Sequence, residues 1–163
     1  MASNAQVKRA GLIGIVGAAA AAALMALVPA NEGTIYKTYK DLGGVLTYCT
    51  GATENAMWGK TYTPAECAEQ LDRDLERHAA GIAKCIPMDR LTAGQKVAFV
   101  DTAYNIGVGA FCGSSMARKT NAGDMAGACA ALSLWTKVNG RDVAGLVRRR
   151  ATARAFCEGK KPV

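Results

Sequence analysis

Glu32-Gly-Thr-Ile-Tyr-Lys-Thr-Tyr-Lys-Asp41-Leu-Gly-Gly-Val-Leu-Thr47 is the stretch on which the reading of this chain turns. Eight residues separate Glu32 from Asp41 and five separate Asp41 from Thr47. Tyr36 to Cys49 is rich in Tyr, Thr, Val and Leu, and Gly43-Gly44 is a two-residue turn signal, so a short hairpin presenting Asp41 and Thr47 is expected. Two carboxyls suit glycoside hydrolysis, in which one donates a proton to the leaving oxygen and the other stays ionised beside a positively charged sugar centre. Glu32, next to Ile35 and the end of an apolar segment, is the candidate acid. Asp41, opening a turn, is the candidate solvated partner, and Thr47 would hold the attacking water. Any one of these residue types alone is most often an ordinary surface residue; the three together at this spacing are not.

Immediately upstream, Ala10 to Asn31 is a 22-residue stretch without charge. Gly11 to Ala30, at ~1.5 Å per helical residue, is long enough for a hydrocarbon core of ~30 Å. The chemistry is weak for that task. Ala18 to Ala23 is an unbroken alanine run, Gly11, Gly14 and Gly17 recur at helical spacing, and strong apolar residues are sparse. Lys8 and Arg9 precede the segment and the next basic residue is Lys37, so the N-terminus is expected in the cytoplasm and the rest outside. A cleaved secretory signal ending at Val28-Pro-Ala30 is the competing reading. Cleavage there would leave Glu32 beside a new terminus, which favours an uncleaved anchor.

All six cysteines, Cys49, Cys67, Cys85, Cys112, Cys129 and Cys157, follow that segment. An even count outside the cytoplasm reads as three disulfides, with fifteen possible pairings. The simplest joins sequence neighbours: Cys49–Cys67, Cys85–Cys112 and Cys129–Cys157. No C-x-x-C or Cys/His cluster is present, so a structural zinc is not expected, and hydrolysis by two carboxyls and water calls for no metal or organic cofactor. The net charge of +7 is concentrated from Lys137 onward, where eight basic residues, Lys137 included, face two acidic ones. Such a field suits polyanions, including acidic wall polymers, or is simply a solvated helix face. Nucleic acid is a remote partner, because Arg148-Arg149-Arg150 lacks interleaved aromatics and an exported chain does not meet cytoplasmic DNA.

The remainder reads as helices. Thr63 and Glu66 form a capping box with Pro64 at the first helical position, predicting a helix from Thr63 to Lys84. Further helices are expected at Leu91–Asn105, Ser114–Asn121, Gly123–Val138 and Arg148–Glu158. The lone histidine, His78, lies among Asp74, Glu76 and Arg77 and reads as a solvated helix residue.

The Glu32, Asp41, Thr47 spacing resembles the acid–aspartate–threonine signature of the phage-type lysozymes. Phe99-Val-Asp-Thr-Ala-Tyr-Asn105-Ile-Gly107, Asn121-Ala-Gly123-Asp124, the Trp135 region and Gly145-Leu-Val-Arg-Arg149 are similar to landmarks of that family's helical lobe. An Ala- and Gly-rich first segment beside such a motif resembles the signal-anchor-release endolysins. One departure is visible: many relatives carry Gly-His where this chain has Gly51-Ala52. The resemblance implies an α+β, lysozyme-like two-lobed fold with an N-terminal signal-anchor helix. Its divisions would be a cytoplasmic N-terminus (1–9), an anchor (10–30) and a catalytic domain (31–163), the last comprising a catalytic lobe (31–62), a linking helix (63–84) and a helical lobe (85–163). It also implies hydrolysis of the β-1,4 link between N-acetylmuramic acid and N-acetylglucosamine in peptidoglycan. The protein would be a monomer, held first in the inner membrane and then released to the periplasm. The alternative is a non-catalytic wall-binding relative, which would not require the three site residues.

Overall fold

The uncharged stretch does form helix, but not one helix. In the computed structural model, which describes residues 11–163, it divides into α1 (Leu12–Val16) and α2 (Ala18–Glu32). The break is Gly17, whose φ of 87° is a backbone state that side-chain-bearing residues avoid. On the folded body the segment Gly11–Ala30, expected as one span, is two helices, and the second runs on to Glu32 itself. Among the described residues no helix is long and apolar enough to cross a membrane. Lys8, Arg9 and the rest of the expected cytoplasmic N-terminus lie outside the described residues.

Both helices pack into the body. Leu12, Val16, Ala20, Ala21, Leu24 and Val28 are buried in one core with Leu71, Val97, Phe99, Phe111 and Ala153. Each fully buried aliphatic side chain of this kind contributes roughly 1.5–3 kcal/mol from removal of apolar surface from water. Small alanines at intermediate positions allow the close approach that larger residues would prevent.

After Gly33, which caps α2 at φ 76°, strands β1 (Ile35–Lys40) and β2 (Leu46–Cys49) form an antiparallel pair. Tyr39 lies opposite Thr47 and Ile35 opposite Cys49, with a register irregularity between. This lobe has its own small core of Tyr48, Cys49, Ala52, Tyr62 and Cys67. The linking helix α3 (Pro64–Ile82) starts at the reciprocal cap read from the sequence: Glu66 N–H donates to Thr63 Oγ1 at 3.1 Å and Thr63 N–H to Glu66 Oε2 at 2.7 Å. Its buried residues, Cys67, Gln70, Leu71, Leu75, Ala79 and Ile82, recur every three or four positions and so form one stripe.

Helix α4 (Ala93–Ile106) is the buried central helix, capped by Thr92 and Gln95. A short α5 (Val108–Cys112) follows Gly107, then α6 (Ser115–Asn121) and α7 (Met125–Ala131). The helix expected over Gly123–Val138 stops at Ala131 and a 3-10 turn, and Lys137–Val138 (β3) pairs with Arg141–Asp142 (β4) instead. Asn139 and Gly140 both have positive φ, at 50° and 76°, and this Asn-Gly turn signal competes successfully with helix continuation. The last helix, α8, begins at Ala144 and ends at Cys157, four residues earlier than expected at its start. It lies so close to α4 that a Cβ on Gly94 would stand 2.3 Å from the Phe156 carbonyl oxygen.

The disulfides are Cys49–Cys67, Cys85–Cys112 and Cys129–Cys157. The first ties the hairpin lobe to α3, the second joins the end of α3 to α5, and the third clasps α7 to α8. Loops of 18 to 28 residues closed in this way contribute about 3 kcal/mol each by restricting the unfolded chain.

Candidate active site

Glu32 is the last residue of α2 and lines a cleft of about 840 Å³ between the hairpin lobe and the helices. Ile35, expected as its apolar neighbour, is half exposed. The contact that does hold Glu32 comes from α8: Arg149 donates from Nη1 to the Glu32 carboxylate. Arg149 is only 6% exposed, while Asp101, on α4 behind it, is 1% exposed. The other edge of the guanidinium donates to Asp101 in a fork, Nε to Oδ2 at 3.1 Å and Nη2 to Oδ1 at 2.8 Å. Asn31, adjacent to Glu32, donates to the same Oδ1 at 3.3 Å. Burial alone would depress the Arg149 guanidinium; hydrogen bonds and charge from Asp101, and then Glu32, more than offset it and leave Arg149 raised.

Asp41 lies at the exposed turn after β1. Its Oδ1 accepts from Gly43 N–H at 2.8 Å and Val45 N–H at 2.9 Å, so the carboxylate organises the turn while its other oxygen is uncommitted. Thr47 is buried in β2, and its hydroxyl donates to the Val45 carbonyl at 3.0 Å. Asp41 and Thr47 are thus both fastened to Val45, one through its N–H and the other through its C=O. With the hydroxyl proton engaged, the Thr47 oxygen retains lone pairs able to accept from a water. Glu32 is among the residues lining the cleft, whereas Asp41 and Thr47 are not.

The opposite wall is built by α3 and α4. Tyr104 donates its hydroxyl to the Thr50 carbonyl at 2.6 Å, tying α4 to the end of the hairpin, and burial pushes its phenol well above the ordinary range. His78, read as a solvated helix residue, is half buried and lines the cleft; its ring lies 5.0 Å from that of Tyr104, and its Nδ1 is 2.6 Å from the Asp74 carbonyl oxygen. Burial raises the Asp74 carboxyl, although Arg77 at 2.7 Å and His78 act in the opposite direction. Ala52 is also on the cleft, pairing backbone to backbone with Tyr48. Gln70 and Arg77 are the side chains that hold the Asp74 carboxylate.

The expected basic C-terminal face is partly internal. Arg149 and Arg150 are buried, and only Arg148 of the three-arginine run faces solvent. Arg150 donates to the Trp135 carbonyl at 3.0 Å and to the side-chain oxygen of Asn105, a cleft residue. Burial, with Arg149 beside it, pushes the Arg150 guanidinium down. Asp101 and Arg149 were not among the expected site residues. Asp101 nonetheless stands out, as the one charge in the buried run Val97–Ala103, and a charge there requires a partner. Among the described residues no group of three His, Cys, Asp or Glu could hold a metal ion.

A family model described as phage lysozyme matches residues 29–153. The SAR-endolysin of Bacteriophage PS119 is 45% identical over 129 residues, spanning 77% of this chain and 75% of that protein. The SAR-endolysin of Enterobacteria phage PA-2 is 43% identical over 129 residues, with 77% and 76% covered. Among solved structures, the muramidase domain of SpmX from Asticaccaulis excentricus matches with a TM-score of 0.75 at 28% identity, covering 83% of this chain and 94% of that one.

Proposed function

The chain belongs to the phage lysozyme family and is a muramidase that lyses peptidoglycan, and from that premise we propose that Glu32, Asp41 and Thr47 carry the reaction. Glu32 donates its proton to the glycosidic oxygen as the bond between N-acetylmuramic acid and N-acetylglucosamine breaks. Asp41 uses its uncommitted oxygen to stabilise the positive charge that develops on the sugar, or to orient water toward it. Thr47 accepts a hydrogen bond from that water. The observation that supports this reading best is the pairing of geometry with chemistry at Glu32: a carboxyl at a helix end, at the edge of the cleft, held by a single buried arginine. The test is turnover of purified peptidoglycan by wild type and Glu32→Gln. The amide keeps the shape but has no acidic proton, and a positioned general acid contributes about 10²–10⁴-fold. A loss in that range with unchanged circular dichroism supports the role; turnover near wild type removes it.

The same reading extends to location. The segment 10–30 is a signal anchor that holds the chain in the inner membrane with residues 31–163 outside, and that later leaves the bilayer to dock as α1 and α2. Because α2 carries Glu32, the membrane-held form lacks its acid in working position and is inactive. Gly14, Ala19 and Ala22 are exposed when the segment is docked, so leucine at all three strengthens insertion without disturbing the buried face. The triple variant should stay in the membrane fraction and delay lysis. Lysis on the wild-type schedule by protein that is wholly membrane-bound rules out release as the switch.

A further inference from the structure

Asp101 is a buried carboxylate that the reaction does not touch. It is 1% exposed, sits in the middle of α4 between apolar turns, and lies on the far side of Arg149 from Glu32. A carboxylate without partners at such a position carries a large desolvation penalty, so its retention in this core requires the fork to Arg149. The fork also has a consequence for the acid. A guanidinium facing Glu32 alone would stabilise the ionised carboxylate, which is the wrong form for donating a proton.

Resting on Glu32 as the acid, we infer that Asp101 is a positioning residue for catalysis: it neutralises Arg149 from behind and fixes its plane, so that Nη1 meets the Glu32 carboxyl as an oriented hydrogen-bond donor rather than as an unbalanced positive charge. Three contacts converge on this role. Nε and Nη2 of Arg149 are both engaged by the Asp101 carboxylate, which leaves Nη1 as the nitrogen aimed at Glu32. Nη2 also lies 3.4 Å from the Asp101 backbone carbonyl, so the guanidinium is registered against the helix itself. Asn31 reaches the same carboxylate, which ties the residue before the acid to the residue behind the arginine. The other charged or titratable groups around Glu32 are Tyr104 on α4, Arg150 on α8, Tyr48 and Glu54 on the hairpin lobe, and Arg73, Asp74, Glu76, Arg77 and His78 on α3 across the cleft. Of these, Arg150 directs its hydrogen bonds to Trp135 and Asn105, while Asp74 and Arg77 are paired with each other.

The experiment is the pH dependence of peptidoglycan hydrolysis by the released full-length protein. Asp101→Asn keeps the shape and removes the charge. Arg149 then faces Glu32 without a counter-charge, and the alkaline limb of the kcat profile should move down by about one to two pH units, with KM little changed. A solely structural role would lower stability and leave the limb where it is. Asp101→Asn that folds, works at the wild-type rate and keeps the wild-type limb overturns the inference. The double variant Asp101→Asn with Arg149→Met leaves no charge buried alone and covers the case in which the single variant does not fold. Its limb should lie at or above the wild-type position, and a limb below wild type in the double variant also overturns the inference. An active Glu32→Gln protein, by contrast, would remove the acid assignment whatever the Asp101 variants do.

Discussion

The turn that carries Asp41 and the seam that holds Glu32 solve the same problem by opposite means. Asp41 and Thr47 are fixed by hydrogen bonds to Val45 that span two or four residues. Glu32 is fixed by Arg149, 117 positions away, which in turn is fixed by Asp101, 48 positions from it. A local turn needs only its own residues to be right. The seam needs α2, α4 and α8 all in place, so it is the part of the site that senses whether the whole fold has assembled.

Arg149→Met tests that contrast most severely. It strands the Asp101 carboxylate in the core, and breaking a buried pair in this way costs about 3–5 kcal/mol, to be read by urea denaturation. A loss below 1 kcal/mol would mean that the seam is as forgiving as the turn. Gly94→Ala is the next largest. Its Cβ would meet the Phe156 carbonyl oxygen at 2.3 Å, so α8 must shift, with about 1–3 kcal/mol lost and Arg149 carried away from Glu32. Activity should therefore fall in a variant whose mutation is far from the substrate. At the turn, Asp41→Asn should cost about 1 kcal/mol at most, since one amide oxygen can still accept from Gly43 and Val45. Turnover should nevertheless fall by about 10²-fold or more, because the ionised group is gone.

The smallest effect has the opposite sign. Burial raises the Asp74 carboxyl, so the folded protein binds a proton there more readily than the unfolded chain does. Stability therefore declines as pH rises from the ordinary carboxylate range through the raised value, and the decline persists at neutral pH. Asp74→Asn, which carries no charge to bury, should gain about 0.5 kcal/mol at pH 7, with the gain vanishing in acid below the ordinary carboxylate range. Thermal melts at pH 7 and pH 3 check it, and a gain that grows in acid would show that the ion pair with Arg77 outweighs desolvation.

The same division explains what could be read in advance. The capping boxes at Thr63 and Thr92, the apolar stripe of α3 and the hairpin around Gly43-Gly44 are local devices, and their residues announce them. The break at Gly17 was not legible from the segment alone, because a glycine in an apolar run is compatible with a straight helix in lipid and with a bend on a folded body. Asn139-Gly140 was a legible turn signal that the helical pattern upstream of it obscured. Arg149 could not be told from Arg148 and Arg150 by composition: that Arg149 and Arg150 turn inward, and that Arg149 is the one to reach Glu32, is set by the rotation of α8 against α4, and that depends on Gly94 and on residues from opposite ends of the chain.

The order of the cross-links has a topological consequence. Each bridge joins a cysteine to the next one along the chain, so the three covalent loops are separate, and none of them encloses anything before Cys49. Among the described residues, 11–48 contain no cysteine and lie outside all three loops along the chain. A fully oxidised body can therefore receive α1 and α2, with Glu32 at their tip, as the last piece of the molecule to arrive, and no sulfur–sulfur bond has to open for it to do so. On the proposed release from the membrane, the bridges that harden the body against unfolding place no covalent constraint on the arrival of α1 and α2.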